Sequence, residues 1–192
     1  MGSENFYSFL SRMKYINRWG LMRNTRYETL QEHSMETAVI AHALAVIDRV
    51  RFGKTVDADR VAVAAMFHDA SEIITGDLPT PVKYGNEALK TAYKKVESSA
   101  EQQLVDMLPD DLAAEYLPLI RYPDEFRPYI KAADKLSAMI KCIEEKNTGN
   151  HDFDVAYETL FAAVREMAFP PADVFLNEFL KGYSLTVDEL RG

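Results

Sequence analysis

Cysteine and long apolar runs are scarce in this chain. Cys142 is the only cysteine among 192 residues, so an internal disulfide is excluded and a reducing cytoplasm is the expected compartment. The amino terminus lacks the basic start and apolar stretch of a secretory signal. The longest fully apolar runs, such as 61–67, fall far below the ~20 residues that span a bilayer. We therefore expect a cytoplasmic protein with no membrane partner.

Positive charge is also in short supply. The chain has 22 lysines and arginines against 30 acidic residues, which gives a net charge of -8. An acidic surface repels nucleic-acid polymers and anionic membranes, so neither is an expected partner. A small phosphate ester is still allowed, because a metal ion and a few arginines can reverse the field inside a cleft.

Sustained alternation of apolar and polar residues is missing, so nothing in the sequence requires a sheet. Helical periodicity dominates instead, and the segment 61–67 is apolar on all sides, which predicts a helix buried at the centre of the fold. No repeat or linker stands out, so we predict one all-α domain over residues 1–192. The predicted helices are 6–16, from Ser34 through 47, 58–76, 87–107, 124–147, 153–167 and 172–181, with loops at 18–26 and 77–83.

Two polar residues, His68 and Asp69, interrupt the apolar pattern of the third predicted helix. A carboxylate in such a run is unfavourable unless it is paired or bound to a metal. Glu72 is four residues after His68 and three after Asp69, so on one helix all three side chains project to the same side. This arrangement predicts a functional cluster rather than a simple core helix.

Asp134 and His33 extend the same reasoning to distant parts of the chain. Asp134 is four residues after Ile130 and three before Ser137, so we expect a buried carboxylate at the edge of an inner helix face. His33 precedes Ser34, the predicted N-cap of the second helix, where a side chain can lean into a cleft. Two imidazoles and two carboxylates suit one divalent ion such as Mn²⁺, Co²⁺, Fe²⁺ or Ni²⁺, with water completing the coordination.

Each of these residues also has an ordinary structural explanation. Most His-Asp dipeptides bind no metal, a histidine at a helix start is usually a surface group, and an inner carboxylate often forms a salt bridge. The combination is much more specific than any single member. The remaining histidines offer no second site, because His42 faces the opposite side of its helix as a structural group and His151 lies in a polar, exposed loop.

The set His33, His68-Asp69 and Asp134 resembles the H…HD…D signature of the HD-domain metal phosphohydrolases. Longer segments resemble the bacterial 5′-deoxynucleotidase family, and the likeness covers nearly the whole chain; these segments are 16–19, 32–34, 67–72 and 75–83. The block 76–83 and the Arg18-Trp19 pair are specific to this resemblance, whereas the His-Asp pair alone is not. The resemblance implies an HD-domain helical bundle with a mononuclear metal site in a central cleft, formed by His33, His68, Asp69 and Asp134.

In that family the reaction is hydrolysis of 2′-deoxynucleoside 5′-monophosphates, which releases a deoxynucleoside and phosphate. Such hydrolysis requires neutralised charge on the phosphoryl oxygens and a positioned water, and a metal ion provides both. The resemblance implies that the catalytic residues are Arg18, Asp69 and Glu72. Arg18 would orient the phosphate through its guanidinium fork. Asp69 would ligate the metal and touch the substrate, and Glu72 would act as general acid or base.

The remaining assignments concern the nucleoside. Trp19 is the only tryptophan, and we hypothesise that it packs on the sugar as an apolar wall at C2′. A ribose hydroxyl would then lack a hydrogen-bond partner, which costs ~1–3 kcal/mol and favours deoxyribose. Asp77 is assigned to the sugar 3′-hydroxyl, and a rigid loop to the pocket wall. The expected substrate-contacting residues are Arg18, Trp19, His33, Asp69, Asp77, Leu78, Pro79 and Thr80.

Three alternatives stay open at this point. The first is another HD-domain enzyme that acts on nucleoside triphosphates, cyclic nucleotides or alarmones. The second is a nucleotide or metal sensor without turnover, and the third is a helical interaction protein with structural polar clusters. The resemblance also implies a homodimer, which the sequence alone does not establish.

Overall fold

A computed structural model describes residues 4–79, 82–83 and 85–192, and its regular elements are helical. The helices are α1 (Phe6–Leu10), α2 (Leu30–Phe52), α3 (Ala58–Met66), α4 (Glu72–Thr75), α5 (Glu87–Val105), α6 (Asp110–Ile120), α7 (Arg127–Asn147), α8 (Asp154–Glu166), α9 (Pro170–Glu178) and α10 (Val187–Leu190). Short 3₁₀ turns lie at Ser11–Tyr15, Asp124–Phe126, His151–Phe153 and Leu180–Ser184. The described part contains no strand, only an isolated bridge between Asn17 and Thr29, which confirms the predicted all-α class.

Helices α2, α3 and α7 form the centre of the bundle. Helix α2 packs on both α3 and α7, while α8 covers α7 and α9 contacts α2. Leu44 of α2, Val61 of α3 and Leu136 of α7 are fully buried in this main core. Burial of such side chains stabilises the fold by ~1.5–3 kcal/mol each. The site residues are therefore attached to the best-packed part of the molecule.

A second apolar cluster lies on the other side of the turn that follows α3. Its buried members are Phe6, Ala70, Leu104, Val105, Leu108 and Ile120. Ala65 belongs to the main core and Ala70 to this second cluster, so the chain between them passes from one core to the other. His68 and Asp69 occupy that passage. No described helix combines the length and apolarity needed to cross a membrane.

The second helix begins earlier than predicted. Its N-cap is Thr29 rather than Ser34, and the Thr29 hydroxyl accepts from the Glu32 amide while the Glu32 carboxylate accepts from Thr29 in return. This capping box is visible in the sequence as a threonine followed three residues later by a glutamate. His33 consequently lies inside the first turn of α2, not before it, and its side chain is fully buried.

The third predicted helix is interrupted. Helix α3 ends at Met66, and the amides of Phe67, His68 and Ala70 donate to carbonyls three residues back, which tightens the chain into successive turns. Glu72 then begins the separate helix α4. The expectation of a helix buried on all sides was also wrong, since Val63 and Met66 are 37% and 41% exposed.

The remaining differences are at helix ends and in one missed helix. Helix α6 was not predicted, because Pro109 at its N-cap and Pro118 inside it obscure the helical pattern. Pro170 and Pro171 open α9 as its first residues, a position where proline is favoured. The predicted loop 77–83 is irregular at 77–79 but helical at 82–83, where the amides of Val82 and Lys83 donate to Pro79.

A buried ion pair on α7 holds the loop that precedes α2. Lys141 and Glu145 lie one turn apart, form a salt bridge, and are both buried. Lys141 also donates to the carbonyl of Arg26, and Glu145 accepts from the amide of Thr25 at 3.0 Å and from the Asn150 side chain at 2.7 Å. Burial alone would raise the pKa of Glu145, but the hydrogen bonds from Lys141, Asn150 and Thr25 lower it to about 2.

Replacing Glu145 by alanine should destabilise the protein strongly. The change leaves Lys141 buried without its carboxylate, and loss of one partner of a buried pair costs roughly 3–5 kcal/mol. Urea unfolding followed by circular dichroism measures the loss. Glu144→Ala on the same helix is the matched control, because Glu144 is exposed and its removal should change stability by less than ~0.5 kcal/mol. Equal losses in both variants would contradict the role assigned to Glu145.

Candidate metal centre

Three elements of the fold bring the predicted metal ligands together. His33 projects from α2, His68 and Asp69 from the turn after α3, and Asp134 from α7. His33, His68 and Asp134 each offer one ligand atom, and these atoms all lie within 4.8 Å of one another. Asp69 adjoins this group, since its Oδ2 is 3.1 Å from His68 Nε2 and 3.6 Å from His33 Nε2.

The donor set of this cluster fits a divalent cation. The Nε2 atoms of His33 and His68 are buried and have no hydrogen-bond partner among the described residues. The His68 Nδ1 atom lies 2.7 Å from the carbonyl oxygen of Ala65, which can only accept, so Nδ1 carries a proton and Nε2 is the nitrogen that faces the cluster. Asp134 is not buried as expected, because its side chain is 41% exposed, and the cluster opens to solvent on that side.

A relay of two hydrogen bonds, through Ser137 to Glu36, fixes the orientation of the His33 imidazole. Its Nδ1 lies 3.0 Å from the Ser137 hydroxyl, which in turn donates to Glu36 at 2.7 Å. Because Ser137 uses its proton on Glu36, it accepts from His33 Nδ1, and the Nε2 lone pair of His33 is directed into the cluster. Sequence reasoning missed this relay, although Glu36 and Ser137 each lie three residues beyond a predicted ligand and thus on its helix face.

The electrostatics of the cluster favour ionised carboxylates. Burial alone would raise the pKa of Asp69, but His68 and His33 lower it far below its usual range. The pKa of Asp134 is lowered to about 2, because the effect of His33 exceeds that of burial. Burial and the nearby Arg18 guanidinium lower the pKa of His33, which keeps that imidazole neutral. Burial alone would lower the pKa of His68, but the Asp69 carboxylate raises it to about 9, so this imidazole is protonated in the metal-free protein. Neutral imidazole and ionised carboxylate are the forms that bind metal, so metal binding would release a proton from His68.

Arg18 and Trp19 lie beside this cluster. Arg18 Nη1 is 3.4 Å from Asp69 Oδ2, and its Nε donates to Glu28 at 3.1 Å. The Trp19 indole N–H also donates to Glu28, and the edge of the ring packs on Phe153 at 5.2 Å between ring centroids. Burial alone would lower the pKa of Arg18, but Asp69 and the other carboxylates raise it. Glu28 was not identified from the sequence, and no local signal in the sequence marks it.

Glu72 does not project with His68 and Asp69 from one helix as predicted. It forms a buried salt bridge with Lys83, whose ammonium also lies 3.7 Å from Asp77 Oδ1. The other oxygen of Glu72, Oε2, is buried without a partner among the described residues. Burial and the Asp69 charge raise the pKa of Glu72 to about 8, although Lys83 lowers it. Lys83 is a further site residue to which the sequence reasoning gave no role.

The other predicted residues lie outside this network of contacts. Leu78 and Pro79 are half-buried in the irregular stretch before Lys83, and Thr80 lies outside the described residues. His42 sits at the surface 3.3 Å from Asp59. His151 is exposed and pairs with Asp154, as predicted for a surface loop. In the described part of the chain, no second cluster of metal-ligating side chains occurs.

Comparison with known families agrees with this geometry. A model of the family described as 5′-deoxynucleotidase YfbR-like matches residues 5–183. The chain belongs to this family. It is 46% identical over 190 residues to a 5′-deoxynucleotidase of Photorhabdus laumondii, which covers 97% of this chain and 96% of the relative. It is also 46% identical to the 5′-deoxynucleotidase YfbR of Escherichia coli, over 99% of this chain and 97% of that one.

Solved structures show the same fold. An HD-domain phosphohydrolase from Listeria innocua superposes with a TM-score of 0.81 at 24% identity, over 95% of this chain and 90% of the other. The cyanophage S-2L HD phosphohydrolase, bound to dA and one catalytic Zn²⁺ ion, gives a TM-score of 0.67 at 20% identity, over 91% and 96% of the two chains. At these identities the likeness establishes the HD-domain fold of this YfbR-like protein.

Replacing Ser137 by alanine should weaken metal binding by the YfbR-like protein. The variant removes the acceptor that orients His33, and loss of such a supporting group lowers metal affinity roughly 10- to 100-fold. Titration calorimetry of metal-stripped protein with Mn²⁺ measures the change. Ser34→Ala is the control, since Ser34 is equally buried beside His33 but its hydroxyl has no partner among the described residues. Unchanged affinity in Ser137→Ala would rule out the relay.

Glu36 should make the stability of the metal-free protein depend on pH. Burial raises its pKa to about 7, so the native state keeps a proton that the unfolded chain has already released. The native state therefore binds more protons than the unfolded state, and stability falls as the pH rises from about 5 to about 8. The fall in melting temperature across this range should be smaller in Glu36→Gln than in wild type. Parallel curves for the two proteins would contradict this assignment.

Proposed function

We propose that this protein is a metal-dependent 5′-deoxynucleotidase, which hydrolyses 2′-deoxynucleoside 5′-monophosphates to a deoxynucleoside and phosphate. The observation that carries the proposal is the meeting of two carboxylates with two imidazole nitrogens that have no hydrogen-bond partner among the described residues, beside a half-buried arginine. The near-full-length identity of 46% to curated 5′-deoxynucleotidases supports the substrate class. The substrate is thus a small anion, which the acidic surface of the chain does not exclude.

His33, His68, Asp69 and Asp134 would hold one divalent ion. A bound ion supplies Lewis-acid stabilisation of the phosphoryl oxygens and lowers the pKa of a bound water. The mixed nitrogen and oxygen donors suit a transition metal such as Co²⁺ or Mn²⁺. They also suit Zn²⁺, the ion bound by the cyanophage relative. We assign the site to this group of metals rather than to Mg²⁺, which prefers oxygen donors alone.

Arg18 orients the phosphate in this proposal. Its Nε donates to Glu28 and its Nη1 lies near Asp69, so the guanidinium plane is held at both ends beside the cluster. Among the described residues, no hydrogen bond uses Nη2, which leaves an edge of the group for phosphoryl oxygens. A planar guanidinium can donate two parallel hydrogen bonds to two oxygens of one phosphate. These charge-assisted hydrogen bonds are stronger where water is excluded.

Glu72 holds the proton that the leaving group requires. Departure of the 5′-oxygen as an alcohol requires a proton donor at that atom. Lys83 donates to one carboxylate oxygen of Glu72, and the other oxygen, Oε2, has no partner among the described residues. With a pKa raised to about 8, Glu72 retains a proton at neutral pH, which we place on Oε2. Glu72 thus serves as general acid, and Lys83 orients it.

The nucleoside is assigned to Trp19 and to the stretch that begins at Asp77. Trp19 forms the wall at C2′, Asp77 accepts from the 3′-hydroxyl, and Leu78 and Pro79 line the pocket; Thr80 is assigned there from the sequence alone. His33 and Asp69 contact the phosphate side of the substrate.

We also propose that the chain acts in the cytoplasm as one HD-type domain and as a homodimer. The exposed apolar side chains of α2 and α3, including Met35, Val39 and Val63, offer a surface for a second copy.

The deciding experiment measures phosphate release by metal-stripped protein to which Co²⁺, Mn²⁺, Mg²⁺ or Zn²⁺ is returned. The substrates are deoxy and ribo 5′-monophosphates, 3′-monophosphates and triphosphates. We expect release from the deoxy 5′-monophosphates with a transition metal. Asp69→Asn removes a charged ligand and should lower kcat/KM at least ~100-fold, since electrostatic contributions to catalysis of this kind are worth ~3 kcal/mol or more.

Each other outcome would identify a different alternative. Release from triphosphates or cyclic nucleotides alone would keep the metal site and move the substrate to another HD-domain enzyme class. Metal binding without release from any substrate would make the protein a sensor. No metal binding at all would remove the basis of the proposal and favour a helical interaction protein.

A further inference from the structure

One carboxylate oxygen joins the two residues that the proposed function assigns to the phosphate and to the sugar. Glu28 Oε2 accepts from Arg18 Nε at 3.1 Å and from Trp19 Nε1 at 3.1 Å. Glu28 is only 7% exposed, so few waters compete for these hydrogen bonds. The side chains of Arg18 and Trp19 are therefore oriented by the same atom.

The backbone explains why Glu28 reaches Arg18. The loop returns on itself, and Asn17 and Thr29 form an antiparallel bridge. The amide of Arg18 donates to the carbonyl of Glu28 at 2.9 Å, so Arg18 and Glu28 form the opposed pair next to the bridge. Opposed residues on antiparallel segments direct their side chains to the same side. The backbone pairing of the loop therefore places the side chains of Arg18 and Glu28 within reach of each other.

The backbone of Trp19 explains why the same oxygen also reaches the indole. Consecutive residues on an extended chain direct their side chains to opposite sides, which would separate Trp19 from Arg18. Trp19 instead adopts a left-handed conformation with φ of 58°. This conformation is unfavourable for a bulky side chain and persists only where surrounding contacts stabilise it. The Trp19 side chain is held by the hydrogen bond to Glu28 and the packing on Phe153. Its carbonyl accepts from the Met22 amide and the Asn24 side chain.

We infer that Glu28 is a positioning residue that makes Arg18 and Trp19 one rigid recognition unit for the deoxynucleotide. This inference rests on the proposed function, which gives Arg18 the phosphate and Trp19 the sugar. If Arg18 fixes the phosphate, the position of C2′ relative to Trp19 follows from the length of the nucleotide. The wall at C2′ discriminates against a hydroxyl only while the indole cannot move away from the guanidinium. Glu28 would therefore control selectivity for deoxyribose through these two residues.

The first test replaces Glu28 by glutamine, which keeps the size but removes the charge. Trp19 is the only tryptophan, so emission excited selectively at tryptophan rather than at the ten tyrosines reports on this indole alone. We expect a shifted emission maximum and stronger quenching by acrylamide in Glu28→Gln. We also expect kcat/KM for a deoxynucleoside 5′-monophosphate to fall roughly 10- to 100-fold, as for loss of a hydrogen bond to a charged group. The ribo substrate should lose less, so the ratio of kcat/KM for deoxy over ribo narrows.

Two further variants separate positioning from general loosening of the loop. Glu32→Gln makes the same chemical change in a nearby carboxylate that pairs with Arg26 and touches neither Arg18 nor Trp19. Glutamine retains the capping box, so the emission and the deoxy/ribo ratio should stay at wild-type values. Glu28→Asp keeps the charge but is too short to reach both donors, and it should behave like Glu28→Gln. If the Glu28→Gln protein does not fold, Glu28→Asp takes its place in the test.

A double-mutant cycle decides whether Glu28 acts through Trp19. If it does, Glu28→Gln combined with Trp19→Phe should show the same deoxy/ribo ratio as Trp19→Phe alone, because the unit is already broken. Independent, multiplying effects on the ratio would overturn the inference, as would unchanged Trp19 emission in Glu28→Gln. A wild-type enzyme that releases no phosphate would overturn the proposed function instead. In that case the emission, and the affinity of the metal-free protein for a deoxynucleoside monophosphate, still decide the role of Glu28.

Discussion

Two buried imidazole nitrogens that have no hydrogen-bond partner in the described part of the chain set the main constraint on this structure. His33 Nε2 and His68 Nε2 are buried at the point where α2, the turn after α3 and α7 meet. A buried polar atom without a hydrogen-bond partner is unfavourable. The fold tolerates these atoms because α2, α3 and α7 pack closely around them. If the cluster binds a cation, as proposed, the metal would satisfy both nitrogens and stabilise the protein.

Helix α7 connects the histidine and aspartate cluster to the loop that precedes α2. Asp134, Ser137, Lys141 and Glu145 lie three or four residues apart and thus share one stripe of the helix. The first two reach the imidazole of His33, whereas the last two hold the loop through Thr25 and the carbonyl of Arg26. That loop carries Arg18 and Trp19. One rigid helix thus determines where the metal would lie relative to the groups that would orient the phosphate and the sugar.

The helical class and most long helices could be predicted because periodicity and caps are local properties of the sequence. The errors occurred where tertiary contacts overrode the local pattern. The sequence predicts a helix that continues past Phe67 to residue 76, yet α3 ends at Met66 because the chain there turns from the main core to the second cluster. The start of α2 was missed for a different reason, since the Thr29 and Glu32 capping box was present in the sequence but Ser34 was preferred.

The sequence by itself determined the family and the chemical identity of the candidate ligands. The H…HD…D pattern and the block 76–83 are linear features, so they can be recognised without coordinates. Only the tertiary structure decided what supports those residues. Ser137 lies 104 residues from His33, and Glu28, though only 10 residues from Arg18, reaches it through a loop register and a left-handed Trp19 that no periodicity encodes. Contacts of this kind depend on how distant elements pack, and therefore on the whole fold rather than on any local pattern.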